Sequence, residues 1–577
     1  MINSATRWTR AALRALVRDN EVHRAVYTDP EIFNLEMSRL FRSTWVFVGH
    51  DSQVPNAGDY FTTSVGAEPV VMVRRADGGI SVLINRCSHK GVRLVSEGSG
   101  NLGRFIRCPY HAWTFGTDGA LQNIPLRDGY DGTGFEATEA RLGLARAGAV
   151  EVYRGFVFCR LSGEGVGFHD YFGESLSTLD NMVDRAPAGR LEVTGGMLRY
   201  MHGCNWKMLA ENQTDACHPM VAHESSAGTT VRIWGEQPEG TPKPMAVEQF
   251  APFVGTYKFF DNMGIRIWPN GHGHTGVSDS IHAAYSAIPG YQEAMVAAYG
   301  EERTRRILGE VRHNTMYFPN IMVKGPIQTL RVFKPLAADR TLVESWTFRL
   351  VGAPDLLLER TCMYNRLINS PGSIVGHDDL EVYERAQQGL QSGLREWVNL
   401  GRLFHLASLH VGRGGGRIMT SITHRLTEFI LDEAQMLDDG RFSEWLDLFT
   451  DDARYWIPIA PGQTDPLLHN SLMYEDKLLL RIRVERLSGA RTYSEQPRSR
   501  CHHLLQTPRV ESLDEARGEF RLRTAFHYVE TRLDRQTLYA GWATHHLLTE
   551  GDRLRIRLKR IDLVNGDAAF GNISLFM

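Results

Sequence analysis

The spacing of apolar positions divides the chain before any residue of special chemistry is considered. Near the start, Leu13, Leu16 and Val17 share one helical face, and Ile32, Phe33, Leu35 and Leu40 follow, so residues 1–45 read as largely helical. From about Trp45 to Leu161 the pattern shortens to β-type runs broken by Gly, Asn and Asp. Val70–Arg75, the turn Asp77-Gly78-Gly79 and Ile80–Ile84 predict a hairpin. Residues 166–410 mix helical stretches with strands such as Thr329–Phe333 and Thr341–Phe348, an α+β pattern. Val411–Ile418 is glycine-rich and predicts a linker, with Met419 directly after it. Beyond it, Ile422, Leu426, Phe429, Ile430, Ala434 and Leu437 line one side of an amphipathic helix, and Gly440 stands where a C-terminal cap belongs. The remainder is β-rich. Arg553–Lys559 alternates cationic and apolar positions, as a half-exposed antiparallel strand should, and Glu550-Gly551-Asp552 joins it to Leu538–Leu548. Met419 could serve as a second start, which would make the chain two polypeptides joined end to end.

Length and charge narrow the classes. At 577 residues the chain is too long for one core, so several domains are expected. Lys and Arg total 64 against 67 Asp and Glu, with no block of like charge, so neither nucleic acid nor an anionic membrane is an expected partner. No run of 18 apolar residues is present, so no spanning helix is expected. The N-terminal stretch alternates charged and apolar positions without the apolar centre of a secretory signal, and a cytoplasmic location is the expectation. Seven cysteines, an odd number spread over a large chain, do not read as a disulfide framework.

Two of those cysteines stand at short, fixed spacing from histidines: Cys87-x-His89 and Cys108-x-x-His111. Thiolate plus imidazole suits zinc or iron–sulfur chemistry. Zinc modules usually group like ligands, whereas each pair here mixes one Cys with one His. A Rieske [2Fe–2S] centre needs two Cys on one iron and two His on the other, and two such loops meet that demand.

A second constellation follows in residues 205–226, where Trp206, Leu209 and Ala210 lead into Asn212, Asp215, His218 and His223. Five residues on a regular helix separate two side chains by about 140°, so His218 and His223 cannot chelate one ion unless the helix is distorted. Pro219 supplies a reason for distortion. Two His and one carboxylate on one side of an ion, with open positions opposite, is the arrangement of non-haem iron(II) oxygenases. The third ligand could be Asp215 itself or one of the acids in Gly376-His377-Asp378-Asp379-Leu380-Glu381. The bland alternative makes His218 and His223 ordinary histidines and Asp378 and Asp379 helix caps.

Taken together the two constellations resemble the Rieske non-haem iron aromatic-ring-hydroxylating dioxygenases, with an α-type catalytic subunit followed by a β-type subunit in one chain. The resemblance implies a β-rich Rieske domain (46–165) inserted in an α+β catalytic domain with a central antiparallel sheet (1–45 and 166–410). A linker (411–418) and a curved-sheet-plus-helices, cone-like β-subunit domain (419–577) follow. It implies Cys87 and Cys108 on one iron of the cluster and His89 and His111 on the other. It further implies His218, His223 and Asp379 as ligands of mononuclear iron, and Asp215, with Asn212 near it, as a bridge for electrons between subunits. The implied cofactors are the [2Fe–2S] cluster, Fe(II) and O2, with NADH acting indirectly through a reductase. The implied partners are a ferredoxin or flavin reductase, an aromatic substrate and further copies of the chain in an α₃β₃ assembly. Three departures stand out: Lys90 where Arg is common, Cys217 where Tyr is common, and an Asn212–Asp215 spacing similar to the benzoate and anthranilate branch. The rival readings are a Rieske monooxygenase or demethylase, against which the C-terminal domain argues, and a zinc-stabilised binding protein without catalysis.

Overall fold

The computed structural model describes residues 7–135, 141–215, 218–277, 280, 288–400, 422–488, 492, 494, 497–515, 517–551 and 553–577. The linker 411–418, Met419 and Cys217 lie outside these residues.

The N-terminal part is helical in pieces, Arg10–Arg14, Ala25–Thr28, Pro30–Leu35 and on to Ser43, as the periodicity predicts. It also contains a strand the periodicity missed, Glu21–His23, which pairs antiparallel with Trp397–Asn399. That pairing leaves Val17 exposed while Leu16 is buried, so the expected apolar face is narrower than read.

Three small sheets follow between Val46 and Arg160. One is four-stranded and holds the predicted hairpin: Glu68–Arg74 pairs with Ile80–Ile84, Arg74 opposite Ile80. A second, from Phe105–Arg107, Thr114–Gly116 and Leu121–Asn123, carries the loop with Cys108 and His111.

The catalytic region is built on seven antiparallel strands, running in space from Leu191–His202 through Arg340–Leu350, Thr329–Ala337, Ile321–Lys324, Asn314–Tyr317 and Gly273–Thr275 to Ile265–Ile267. Helices Asp355–Asn369 and Gly376–Gly389 follow it in sequence.

The C-terminal region begins with helix Ile422–Asp438, whose Leu426, Ile430, Ala434 and Leu437 are buried. Gly440 ends it in the left-handed conformation expected of a cap, at φ +70°. A second seven-stranded sheet follows, antiparallel except where Phe449–Pro458 runs parallel to Arg553–Leu563. The alternation read in Arg553–Lys559 holds only to Arg557. A register shift between His546 and Leu547 then turns the strand over, so that Lys559 is buried and Leu558 is only half-buried. The buried ammonium is paired: Lys559 Nζ lies 2.6 Å from Glu433 Oε1, which also accepts from the Trp445 indole.

The two halves are knitted together rather than merely touching. Gly195 and Gly196, both at φ +73°, form a bulge in Leu191–His202. A Cβ on Gly196 would come within 2.6 Å of the His469 ring, so glycine is what lets the C-terminal loop approach. Asn470 Nδ2 donates to the Gly196 carbonyl (3.0 Å), and the Phe570 carbonyl accepts from Met201 N–H (2.8 Å). Leu198 sits fully buried in the core of the C-terminal sheet. Among the described residues no helix is long and apolar enough to cross a membrane.

Candidate metal centres

Each Cys-plus-His pair sits on a tight loop that the backbone holds closed. In the first, Cys87 N–H donates to Val92 O (2.8 Å) and Gly91, at φ +75°, turns the chain back to Cys87 O (3.0 Å). Buried Asn85 braces this loop, its side-chain oxygen accepting from the Leu94 and Val95 N–H groups. In the second, Cys108 N–H donates to Trp113 O (2.8 Å), and Ala112 takes a positive φ of 55° to close the loop. The loops meet. The rings of His89 and His111 are 4.7 Å apart, and Trp113 stacks on His89 at 4.7 Å and 4°. Cys87 and Cys108 are buried, and burial first, then the adjoining Cys108 thiol, pushes the Cys87 thiol up. Cluster insertion must therefore displace thiol protons.

Two observations bear on which group these donors fit. Two thiols and two imidazoles, one of each on either loop, match the two-Cys, two-His demand of a two-iron cluster. Buried His89 Nδ1 has no hydrogen-bond partner, which marks it as a donor atom awaiting a ligand. The residues fit a [2Fe–2S] group, with the histidine end outermost: Cys87 and Cys108 are buried, His89 is half-buried and His111 is exposed.

The second constellation is assembled by a broken helix. Asn205 caps helix Trp206–Asn212 by accepting from Lys207 N–H (3.1 Å). Lys207 and the Trp206 indole both reach Glu36, at 2.7 and 2.9 Å, anchoring the helix to the N-terminal part. The chain then forms only one short helix, Pro219–Ala222, bounded by His218 and by His223 at non-helical φ −101°, ψ 11°. The break at His223 is the distortion their spacing demands. His218 Nε2 and His223 Nε2 each lie 3.6 Å from the same oxygen, Asp379 Oδ1. His218, His223 and Asp379 form a group whose ligand atoms all lie within 4.8 Å of one another. Asp379 does not cap its helix; the helix begins at Gly376 without a side-chain cap. Three donors converging from one side suit a non-haem iron(II) ion.

Asp215 stands elsewhere. Its Oδ2 is 3.8 Å from His218 Nδ1, the ring nitrogen turned away from Asp379, and its Oδ1 accepts from His218 N–H (3.3 Å). Burial works against an imidazolium at His218, but Asp215 and Asp379 outweigh it and hold the ring above its ordinary pKa. A metal ion must displace that proton. The Asn212 amide lies 3.0 Å from His218 Nε2.

Support for His223 comes from a place the motif search did not reach. Its Nδ1 is 3.2 Å from Asp378 Oδ2, and Asp378 Oδ1 accepts from Arg486 and from Ser494 Oγ (2.8 Å). Burial alone would raise the Asp378 carboxyl, but Arg486 first, with His223 and Ser494, brings it below the usual carboxylate range. Arg486 and Ser494 belong to the C-terminal region, so a carboxylate–histidine support runs across the two halves of the chain.

The triad lines a cleft. Its walls include apolar Phe253, Phe260, Met263, Ile368 and Val375, and two cations, Lys324 and Arg331. These residues carry no local sequence signal; strand register and long-range packing bring them together. In the C-terminal region Asp438, Cys501 and His503 also converge within 4.8 Å, but Asp438 is engaged by His503 Nδ1 (2.7 Å) and by the His502 ring (3.0 Å).

A Rieske-type fold joined to a two-histidine, one-carboxylate cluster that lines a cleft defines a non-haem iron oxygenase. Comparison with known proteins agrees. Residues 44–135 match the Rieske [2Fe-2S] domain, 192–411 the ring hydroxylating alpha subunit (catalytic domain), and 432–567 the ring hydroxylating beta subunit. The chain is 31% identical to the 2-halobenzoate 1,2-dioxygenase large subunit of Burkholderia cepacia, over 66% of this chain and 79% of that one. It is 32% identical to the biphenyl dioxygenase subunit alpha of Paraburkholderia xenovorans, over 67% and 84%. Among solved structures, naphthalene 1,2-dioxygenase with indole bound in the active site superposes with a TM-score of 0.54 at 26% identity, over 66% of this chain and 83% of that one. The chain belongs to the Rieske-type aromatic-ring-hydroxylating dioxygenases, with α- and β-type regions in one polypeptide.

Proposed function

We propose that the chain is a terminal oxygenase that hydroxylates or cis-dihydroxylates the ring of a monocyclic aromatic acid, using O2 and NADH-derived electrons. The observation that carries this reading is the convergence of His218 Nε2 and His223 Nε2 on Asp379 Oδ1 at the wall of a cleft with aromatic and aliphatic residues on one part of its lining. An acid substrate is supported by relatives that include the 2-halobenzoate and anthranilate 1,2-dioxygenase large subunits, the latter 28% identical and from Acinetobacter baylyi.

In this reading His218, His223 and Asp379 hold iron(II), Cys87 and Cys108 hold one iron of the cluster, and His89 and His111 hold the other. Iron(II) held by these three residues would supply dioxygen activation, with electrons drawn from the cluster. The protein's own residues do the rest. Asp378 accepts the Nδ1–H of His223 and so keeps its Nε2 lone pair turned toward the ion. Asp215, whose Oδ2 lies 3.8 Å from His218 Nδ1, supports that ring from its other side and would reach a Rieske histidine of a neighbouring copy. Asp215, its side chain 42% exposed, and His111 both reach the surface, as a bridge between copies requires. Phe253, Phe260 and Val375 hold the ring and keep water from it. We assign 1–45 and 166–410 to the catalytic domain, 46–165 to the Rieske domain, 411–418 to a linker and 419–577 to the β-type domain. Three fused copies then make an α₃β₃-like ring in the cytoplasm, served by a ferredoxin or flavin reductase. The test is turnover of a panel of aromatic acids and neutral arenes with a reconstituted electron chain, with products read by mass. Oxygenated acids are expected; oxygenation of neutral arenes alone overturns the substrate assignment, and no oxygenated product from any ring overturns the function.

A further inference from the structure

The cleft contains a lysine with no carboxylate paired to it among the described residues. Lys324 ends the strand Ile321–Lys324, lines the cleft and is only 4% exposed. Its Nζ donates to one group, the neutral Tyr364 hydroxyl, at 2.6 Å. No carboxylate stands within 4.0 Å of it among the described residues, whereas the largely covered Lys334 and the buried Lys559 each have a glutamate, at 2.8 and 2.6 Å. Burial first, and then the neighbouring Arg331, hold the Lys324 amine well below its ordinary pKa; Asp379, which opposes them, is turned toward His218 and His223, so a bound carboxylate is what would restore the ammonium. The second cation, Arg331, faces the same cleft with one N–H on Gln213 Oε1 (2.6 Å) and its buried Nε unpartnered.

A buried ammonium costs several kcal/mol unless an opposite charge pairs with it. The fold meets that cost at Lys334 and Lys559 and leaves it unmet at Lys324, inside a cavity. Aromatic walls close by fit a flat ring, and the ammonium fits a charge carried on that ring. We propose that Lys324, oriented by Tyr364, is the counter-ion for the carboxylate of the aromatic substrate and sets the preference for acids over neutral rings. This rests on the reading of the cleft as an aromatic-acid site and names the residue that selects the acid.

The experiment measures equilibrium binding of benzoate, benzamide and toluene to the anaerobic holoenzyme by calorimetry, in the parent, Lys324→Met and Lys324→Arg. The parent is expected to bind benzoate far more tightly than the isosteric, uncharged benzamide. Lys324→Met should lose benzoate affinity by about 30-fold or more, the usual consequence of removing one partner of a buried charge pair. Toluene binding should be unchanged or tighter, and Lys324→Arg should restore the preference for benzoate. Parallel visible spectra and melting curves report whether each variant is folded. Should Lys324→Met not fold, the parent's own ratio of benzoate to benzamide affinity decides. Equal affinity for benzoate and benzamide in the parent, or parent-like benzoate affinity in a folded Lys324→Met, overturns the proposal and leaves the oxygenase reading intact. Benzoate affinity lost in Lys324→Met, when the parent oxygenates no ring, supports the anchor and overturns the oxygenase reading instead.

Discussion

Replacing Arg486 with Met tests whether the β-type region supports the iron site or only the assembly. Asp378 is 3% exposed and its carboxylate has three partners: Arg486, Ser494 at 2.8 Å and His223 at 3.2 Å. Met keeps much of the apolar stem of Arg486 while removing its guanidinium and charge. The carboxylate is then left buried with two neutral donors, an arrangement that costs about 3–5 kcal/mol of stability. Asp378 will tend to take up a proton, and His223 will lose the charged acceptor that fixes its tautomer. Loss of such outer partners lowers metal affinity by about 10–100-fold. The assay is iron titration of the apo mononuclear site against a competing chelator, with the visible spectrum of the cluster, which lies on other loops, as internal control. Urea unfolding gives the stability term. Asp378→Asn combined with Arg486→Met removes both charges and should unfold later than Arg486→Met alone. Iron affinity within twofold of the parent, together with an unchanged unfolding midpoint, would refute the reasoning.

Other outcomes follow from the same geometry. Cys87→Ser and Cys108→Ser should each lose the brown chromophore, because a hydroxyl is a harder, poorer ligand for that iron; a full iron–sulfur spectrum in either is the contrary result. Asp215→Asn should keep both centres loaded yet slow electron transfer from the reduced cluster, and parent-rate oxidation of the cluster in single turnover would take Asp215 off the path. Burial holds the His50 ring neutral by lowering its pKa to about 3. Since the unfolded value is about 6.5, stability present above pH 6.5 is lost as pH falls toward 3, by about 1.4 kcal/mol per pH unit. The acid limb of urea midpoints should therefore be shallower in His50→Gln, and parallel limbs would refute this. Light scattering should give three times 65.1 kDa, and full activity at a single unit's mass would contradict the ring.

How much was legible in the sequence follows the range of each interaction. Cys87 with His89, Cys108 with His111, and His218 with His223 are short-range pairs, and Pro219 explained in advance why the last two could converge. The choice of Asp379 over Asp215 came from resemblance, because nothing local says which acid folds back across more than 150 residues. Arg486 meets Asp378 across 108 positions and Lys324 meets Tyr364 across 40, so neither carries a motif. The face of Lys559 was misread for a physical reason. Strict alternation assumes an unbroken register, and a bulge beside the strand reversed it.

The central claim is that electrons from the cluster reach oxygen chemistry at His218, His223 and Asp379. The measurement that tests it most directly is a single turnover of chemically reduced enzyme, without reductase, given benzoate and ¹⁸O₂. The account predicts ¹⁸O in the ring product and oxidation of the cluster only when benzoate is present. In His223→Ala the cluster spectrum should be intact and no product should form. Labelled product at the parent level in His223→Ala, or product oxygen drawn from water, would contradict the account.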